Sequence, residues 1–204
     1  MALRTPSRGF TLIELLIVIA IIAILALIAI PNFLEAQTRS KVARARADLR
    51  SIATALETYR IDHNAYPTMI EPGFTGGVAP LAGSDLKWWY TPDCLSTPVA
   101  YLTSADLRCP FGGDQPRQND FPAGIWRRYS YENIPELESK AAAFPILNAK
   151  YGPAAQASTR IGPWRILCIG PDIAWNPMLP YDPTNGTISQ GNILRTQRDA
   201  QGAG

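Results

Sequence analysis

The stretch SRGFTLIELLIVIAIIAILALIAIPNF, residues 7–33, decides how this chain is built. From Phe10 to Ile30 it holds 21 residues, and all are apolar apart from Thr11 and Glu14. As a helix this run would rise about 31 Å, at ~1.5 Å per residue, which is enough to cross the hydrocarbon core of a bilayer. The sequence therefore predicts a membrane-spanning helix. The carboxylate of Glu14 needs a partner or a function there, because a charge near a span is costly.

Three ordinary kinds of apolar segment explain this run less well. A secretory signal peptide has a shorter apolar core, followed by small residues and a cleavage site. A helix in the core of a soluble domain is not apolar on every face over such a length. A plain single-span anchor fits the length but gives Glu14 no purpose.

A second, amphipathic helical pattern follows the apolar run. Its apolar residues step by 3, 4, 3, 4 and 3 positions, and they are Val42, Ala45, Leu49, Ile52, Leu56 and Tyr59. This spacing is typical of one buried helix face. Pro31 removes a helical hydrogen bond, and we expect it to bend the helix rather than end it. The turn sequence DHNAYP, residues 62–67, predicts the end of a single helix that runs from residue 10 to about 62.

The remaining residues indicate a small β-rich head. The chain contains 18 Pro and 15 Gly, and residues 68–125 hold no long periodic run, which predicts extended loops. Short strand patterns occur at 126–133, 164–170 and 186–196. A three- or four-stranded antiparallel sheet could cover the apolar stripe of the helix. The expected fold class is α+β, with a long amino-terminal helix packed on a small antiparallel sheet.

Charge and composition exclude several functions. The formal net charge is +2, and the residues after Arg4 and Arg8 are balanced, so no basic surface for nucleic acid is expected. His63 is the single histidine, and no nucleophile elbow, phosphate-binding loop or dinucleotide fingerprint occurs, so we do not expect an enzyme. The three cysteines leave at least one thiol unpaired. A Cys94–Cys109 disulfide is one possibility, and three small buried side chains are the other.

The stretch RGFTLIELLIVIAIIAILALIAIP resembles the amino-terminal signal of type IV pilins and type II secretion pseudopilins. In that family a membrane peptidase cuts after a glycine and methylates the new amino terminus. The resemblance implies that Gly9 ends the leader, that Phe10 begins the mature chain, and that Glu14 is its fifth residue. Glu14 would then pair with the Phe10 amine of its own helix or of a neighbouring subunit. Such a pair would offset the cost of the lone carboxylate and favour assembly.

The stretch ARADLRSIATALETYRIDHNAYP looks like the helix end of the major pseudopilin of type II secretion. TPVAYLTSADLRCPFGG resembles the loop that follows in those proteins, although Cys109 stands where they usually carry an aspartate. They bind Ca²⁺ in a carboxyl-terminal loop. The corresponding loop here offers Asp172, Asp182 and Asn185 as calcium ligands, although its acidic residues are sparse. The alternative is a loop held by turns and by packing of Trp175. No other cofactor is expected.

Together these features predict four segments. They are a prepilin leader (1–9), a transmembrane and assembly helix (10–33), an amphipathic helix packed on the head (34–62) and a periplasmic globular head (63–204). The resemblance implies a single-pass inner-membrane protein that forms a homopolymeric filament in the periplasm to drive protein export. Its partners would be the prepilin peptidase, an inner-membrane secretion assembly platform and minor pseudopilins. Two alternatives are a type IV pilin of an extracellular pilus, for adhesion, motility or DNA uptake, and an anchored periplasmic binding module that never polymerises.

Overall fold

A computed structural model describes residues 9–69, 90–112, 128–136, 162–173, 179–182, 184, 189 and 191–198. The first element is a helix of 52 residues, α1 (Leu12–His63), which continues through Pro31. The prediction that Pro31 does not end the helix is therefore confirmed. The chain divides into two units within α1, Met1–Gln37 and Thr38–Gly204.

The first unit presents an apolar surface along its helix. Its large hydrophobic side chains are exposed from Phe10 to Leu34. The most apolar 18-residue window has a mean hydropathy of 3.3, and none of it is buried. By length and composition this helix could cross a membrane. Its full exposure also separates it from the core helix of a soluble domain, which buries its apolar face.

The second unit contains a sheet of three antiparallel strands in the order β1 (Ser130–Asn133), β2 (Trp164–Cys168) and β3 (Ile193–Thr196). In register, Tyr131 faces Ile166, and Ile166 in turn faces Arg195. The predicted strand regions and the antiparallel arrangement are confirmed. The first residues of the predicted 126–133 strand and part of the 186–196 segment lie outside the described residues.

The core of this unit lies between the carboxyl-terminal half of α1 and the sheet. The helix contributes the predicted stripe, and the buried members are Val42, Ala45, Leu49, Ile52 and Leu56. The sheet and the residue before it contribute Tyr129, Tyr131, Trp164 and Ile166, all at most 2% exposed. Tyr59, the last residue of the predicted stripe, is only partly buried. The fold class is α+β and pilin-like, as predicted.

Residues 90–112 form an irregular segment that packs on the sheet and the helix. It contains one short 3₁₀ helix (Asp93–Leu95), and Leu95 is fully buried. Single bridges join Tyr90 to Ser130 and Arg108 to Arg128. This segment therefore extends the described sheet at two points.

The cysteine pairing corrects the sequence prediction. Cys109 is bonded to Cys168, with Cα atoms 5.6 Å apart, and Cys94 is free. The predicted Cys94–Cys109 bridge is wrong because Cys94 lies on the 3₁₀ helix, where its thiol contacts Tyr59 near the end of α1. Cys109 instead lies against the buried end of β2. Cys94 is nearer to Cys109 in the sequence, and the prediction rested on that short separation. In the folded head it is Cys168, at the end of β2, that contacts Cys109.

Candidate functional site

The residues predicted to act at the amino terminus lie at and just before the first turn of α1. Gly9 and Phe10 are exposed and precede the helix, which begins at Leu12. Phe10 is 74% exposed. The Gly9–Phe10 bond therefore lies in exposed backbone outside the helix.

Glu14 closes a capping box with Thr11. The Thr11 backbone N–H and hydroxyl donate to Glu14 Oε2 at 2.9 and 2.6 Å. In return, the Glu14 N–H donates to Thr11 Oγ1 at 3.3 Å. This reciprocal pattern satisfies donors that the first turn of a helix leaves open. Before any pairing with an amine, the carboxylate is thus held by a neighbour three residues away.

Thr11 is a functional candidate that sequence reasoning missed. Within the apolar run, the threonine stands out only as a polar break. The signal was present, because a Ser or Thr followed three residues later by Glu before an apolar run is the signature of a capping box. The pairing of Glu14 with a Phe10 amine, by contrast, requires cleavage at Gly9 and remains a prediction.

The three predicted calcium ligands have other roles or lie outside the described residues. Asp172 Oδ2 accepts the Gly191 N–H at 3.2 Å. Asp182 Oδ1 accepts the Thr184 N–H at 2.8 Å and its hydroxyl at 2.6 Å. These bonds to Thr184 lower the pKa of Asp182. Both carboxylates therefore hold loop backbone in place.

Asn185 and Trp175 fall outside the described residues. Among the residues that the structure describes, no three His, Cys, Asp or Glu side chains converge as metal ligands. Calcium usually requires six to eight oxygens, several of them from carboxylates. The described residues of this loop do not fit such a site.

His63 lies in an aromatic cluster at the end of α1. Its ring stacks on that of Tyr59, with centroids 4.1 Å apart. The Tyr101 hydroxyl donates to Asp62 Oδ2 at 2.7 Å and lies 3.4 Å from His63 Nε2. The hydrogen bond to Asp62 raises the pKa of Tyr101 to about 12. The cluster secures the segment around Tyr101 to the end of the helix, and this explains the histidine without a catalytic role.

Comparison with known proteins agrees with this architecture. A family model described as the prokaryotic N-terminal methylation motif matches residues 4–30. A second model, type II secretion system protein G, matches residues 32–88. The resemblance to pilins and pseudopilins is thereby confirmed on both halves of α1. Pilins and pseudopilins are structural subunits, and this chain is similar to them over residues 4–30 and 32–88.

The similar proteins include both type IV pilus subunits and type II secretion proteins. The type IV major pilin protein PilA of Myxococcus xanthus is 39% identical over 115 residues, which is 56% of this chain and 50% of that protein. The type II secretion system core protein G of Pseudomonas aeruginosa is 40% identical over 65 residues, or 32% of this chain and 46% of that protein. The type IV wide pilus major component PilA4 of Thermus thermophilus is 53% identical over 60 residues, which is 29% of this chain and 46% of that protein.

The chain thus spans about half the length of the curated relatives that it matches. No solved structure matches it.

Proposed function

We propose that this chain is the structural subunit of a type II secretion pseudopilus, which assembles through its amino-terminal helix to drive protein export. The observation that carries the proposal is Glu14, a carboxylate at the start of an otherwise apolar and exposed helix that matches the methylation motif. The match of residues 32–88 to protein G of type II secretion supports the secretion assignment. Residues 1–9 are then the leader, residues 10–33 span the inner membrane, and the head lies in the periplasm.

The chemistry of assembly follows from the first turn. Cleavage after Gly9 would convert the amide nitrogen of Phe10 into an amine, which stays protonated near neutral pH even after methylation. Glu14 could then exchange its bonds with Thr11 for an ion pair with the amine of a neighbouring subunit. Because both charges lie in an apolar setting, each is costly alone and stabilised when paired. The pair would therefore favour a polymer over isolated subunits and would fix their axial register.

The partners follow from this role. They are further copies of the chain, the prepilin peptidase, an inner-membrane assembly platform and minor pseudopilins. Assembly would move the subunit from the inner membrane into a periplasmic filament.

Two variants of Glu14 test this function. Glu14→Leu removes the charge and the capping box. Glu14→Gln removes only the charge, since glutamine can also close a capping box. We expect both variants to insert in the membrane and to be cleaved, because the apolar run and Gly9 are unchanged. Both should fail to assemble, as measured by sheared-filament yield beside membrane fractionation. Normal assembly of Glu14→Gln would show that the cap, and not the ion pair, is what assembly needs.

Processing is tested by mass spectrometry of the amino-terminal peptide from native filaments. We expect a chain that begins with methylated Phe10. An intact Met1 or Ala2 terminus would contradict the proposed leader. If processing occurs and both Glu14 variants behave as wild type in export and membrane anchoring, the non-polymerising anchored module becomes the better account.

A type IV pilin is the second candidate. It is favoured by the match to the Myxococcus xanthus pilin, which covers 115 residues, and by the 53% identity to the Thermus thermophilus pilus component. Deleting the gene separates the two. Loss of exported enzymes from the medium supports the secretion filament. Loss of surface filaments, adhesion or motility with normal export supports the pilus.

A further inference from the structure

The sheet contains a buried ion pair that assembly through the amino-terminal helix does not use. β1 and β2 each hold one charged residue, Glu132 and Arg165, and the two lie directly opposite each other. Arg165 Nε donates to Glu132 Oε2 at 2.7 Å, and Arg165 Nη2 donates to the same oxygen. The Glu132 side chain is 0% exposed and that of Arg165 is 4% exposed. Charged side chains are almost never fully buried unless they are paired. The pairing therefore explains how both charges are tolerated, but not why the sheet contains them.

Stability alone does not explain the pair. Moving two charges out of water is costly, and their attraction offsets that cost only when the remaining lone pairs are also hydrogen-bonded. Within the described part of the chain, Glu132 Oε1 is buried and accepts no hydrogen bond. Well-packed apolar residues of similar volume are often as stabilising as such a pair, or more so. A role other than stability is therefore indicated.

Burial of apolar side chains fixes the register of β2 only weakly. All five of its residues are buried, although neighbouring residues of a strand point to opposite faces of the sheet. Ile166 belongs to the core cluster between helix and sheet, whereas Leu167, on the other face, is 1% exposed. A shift of one residue exchanges the two faces of a strand. After such a shift, β2 would still bury apolar side chains on both faces.

The partner strand adds little to this specification. β1 has four residues, and Tyr131 is its one large apolar side chain. The Tyr131 hydroxyl donates to the Pro67 carbonyl at 2.8 Å, in the segment that follows α1. This bond fixes the face that β1 turns to the helix, but not which residue of β2 lies opposite it.

We propose that the Glu132–Arg165 pair specifies the register of β2 against β1. A shift of one residue would bring Arg165 opposite Tyr131 or Asn133, the two neighbours of Glu132 in β1. Because residues directly opposite each other share a face of the sheet, Arg165 and Glu132 would then lie on opposite faces. Each charge would be buried without the other, which is much more costly than burying the pair. A single buried polar residue fixes the register of coiled coils in a comparable way.

The disulfide reports this register. Cys168 is the last residue of β2 and is bonded to Cys109. Cys109 follows Arg108, which bridges to Arg128 two positions before β1 begins. A shift of β2 by one residue would turn Cys168 to the other face of the sheet and away from Cys109. Cys94 carries a free thiol that can then react in its place. The distribution of disulfides among the three cysteines therefore measures the register.

The test is oxidative refolding of the full chain in detergent micelles. The reduced, unfolded chain is returned to native conditions in a glutathione buffer, and peptide mapping by mass spectrometry counts each disulfide. We expect wild type to regain the Cys109–Cys168 bond almost exclusively. Glu132→Leu/Arg165→Leu should raise the share of molecules without that bond at least about tenfold, because it removes the penalty on the shifted register.

Two further variants isolate the attraction between the two charges. Glu132→Arg/Arg165→Glu keeps an ion pair at the same positions and should regain the native disulfide as wild type does. The control Asp106→Asn/Arg128→Gln removes an ion pair of the same head whose side chains are 47% and 32% exposed. It should also refold with the native disulfide, since neither side chain is fully buried.

The urea midpoint of the correctly bonded molecules separates register from stability. We expect the midpoint of Glu132→Leu/Arg165→Leu to equal or exceed that of wild type, because apolar residues replace a pair that is costly to bury. A midpoint below that of wild type would mean that the pair acts through stability, and would overturn the inference. So would native disulfides in the apolar variant at the wild-type level, an equal loss of them in the control, or their absence in the reversed pair. The inference concerns folding of the head, and its outcome does not depend on assembly through Glu14.

Discussion

The indole nitrogen of Trp164 donates a hydrogen bond of 2.9 Å to Oε1 of Glu57, across 107 positions of sequence. The same carboxylate accepts the Tyr66 hydroxyl, at 3.2 and 3.1 Å from its two oxygens. One side chain of α1 therefore joins the helix to the start of β2 and to the turn that ends the helix. Trp164 is 2% exposed, so its N–H has no access to bulk water as a substitute.

Replacing Glu57 by alanine should destabilise the second unit by about 1–3 kcal/mol, because the Trp164 N–H is left buried without an acceptor. Glu57→Gln keeps an acceptor in place and should cost less. Urea unfolding followed by tryptophan fluorescence measures both. An unchanged midpoint for Glu57→Ala would show that this carboxylate does not hold the sheet to the helix.

The disulfide should contribute strongly to stability because it closes a long loop. Cys109 and Cys168 are 59 positions apart, for which the loop-entropy account gives about 4 kcal/mol. We expect Cys109→Ser/Cys168→Ser to lower the thermal midpoint markedly and to make it insensitive to reductant. The control is Cys94→Ser, which removes a free thiol and should leave the midpoint and its sensitivity to reductant as in wild type. Equal midpoints for the double variant and wild type would contradict the prediction.

Alkaline pH should destabilise the head through two buried tyrosines. Burial, and then the Asp48 carboxylate that accepts its hydroxyl, raises the pKa of Tyr129. Burial, and then the charge of Glu136, raises the pKa of Tyr131. Since the unfolded phenols ionise near pH 10 and the folded ones only above it, the folded state keeps protons that the unfolded state loses. The stability is therefore full below about pH 10 and falls above it, by about 1.4 kcal/mol per pH unit for each tyrosine.

Urea unfolding at a series of pH values between about 8 and 11 measures this slope. Tyr129→Phe should be less stable at neutral pH, because it loses the hydrogen bond to Asp48. Its loss of stability per pH unit above pH 10 should nevertheless be smaller than that of wild type, because one tyrosine with a raised pKa is absent. A wild-type stability that stays constant across this range would contradict the assignment.

A chain that begins at Thr38 should fold as a soluble monomer. The boundary between the two units falls between Gln37 and Thr38, and the buried stripe of α1 lies wholly on the carboxyl-terminal side. Size-exclusion chromatography and circular dichroism test this, with the disulfide as a covalent marker of native packing. Aggregation of the shortened chain would mean that the head needs the apolar helix or a partner to fold.

The helical and apolar patterns could be interpreted correctly because they are local. The stripe from Val42 to Leu56 has the period of a helix, and those residues are buried as expected. The strands were located by alternation and by turn residues. The amino-terminal resemblance to pilins and pseudopilins could be identified because a charge, a glycine and a long apolar run occur together within 24 residues.

Contacts between distant residues could not be predicted, because they depend on the register of the sheet. Cys168, at the end of β2, is bonded to Cys109 across 59 positions of sequence. Arg165 Nε donates to Glu132 Oε2 at 2.7 Å within the same sheet, and both side chains are buried. From the sequence alone these two charges would be assigned to the surface, since ions are rarely buried unless paired. No periodicity in the sequence indicates which strands will be neighbours.

The bond between Cys109 and Cys168 can distinguish copies of the chain that have reached an oxidising compartment from copies that have not. Disulfides form and persist in oxidising compartments and are rare where thiols are kept reduced. If the head enters the periplasm before assembly, newly made chains carry three thiols and translocated chains carry one. Alkylation followed by mass measurement would then separate the untranslocated pool from the translocated one in a single cell lysate. The number of alkylated thiols would thus show whether a given subunit has crossed the membrane.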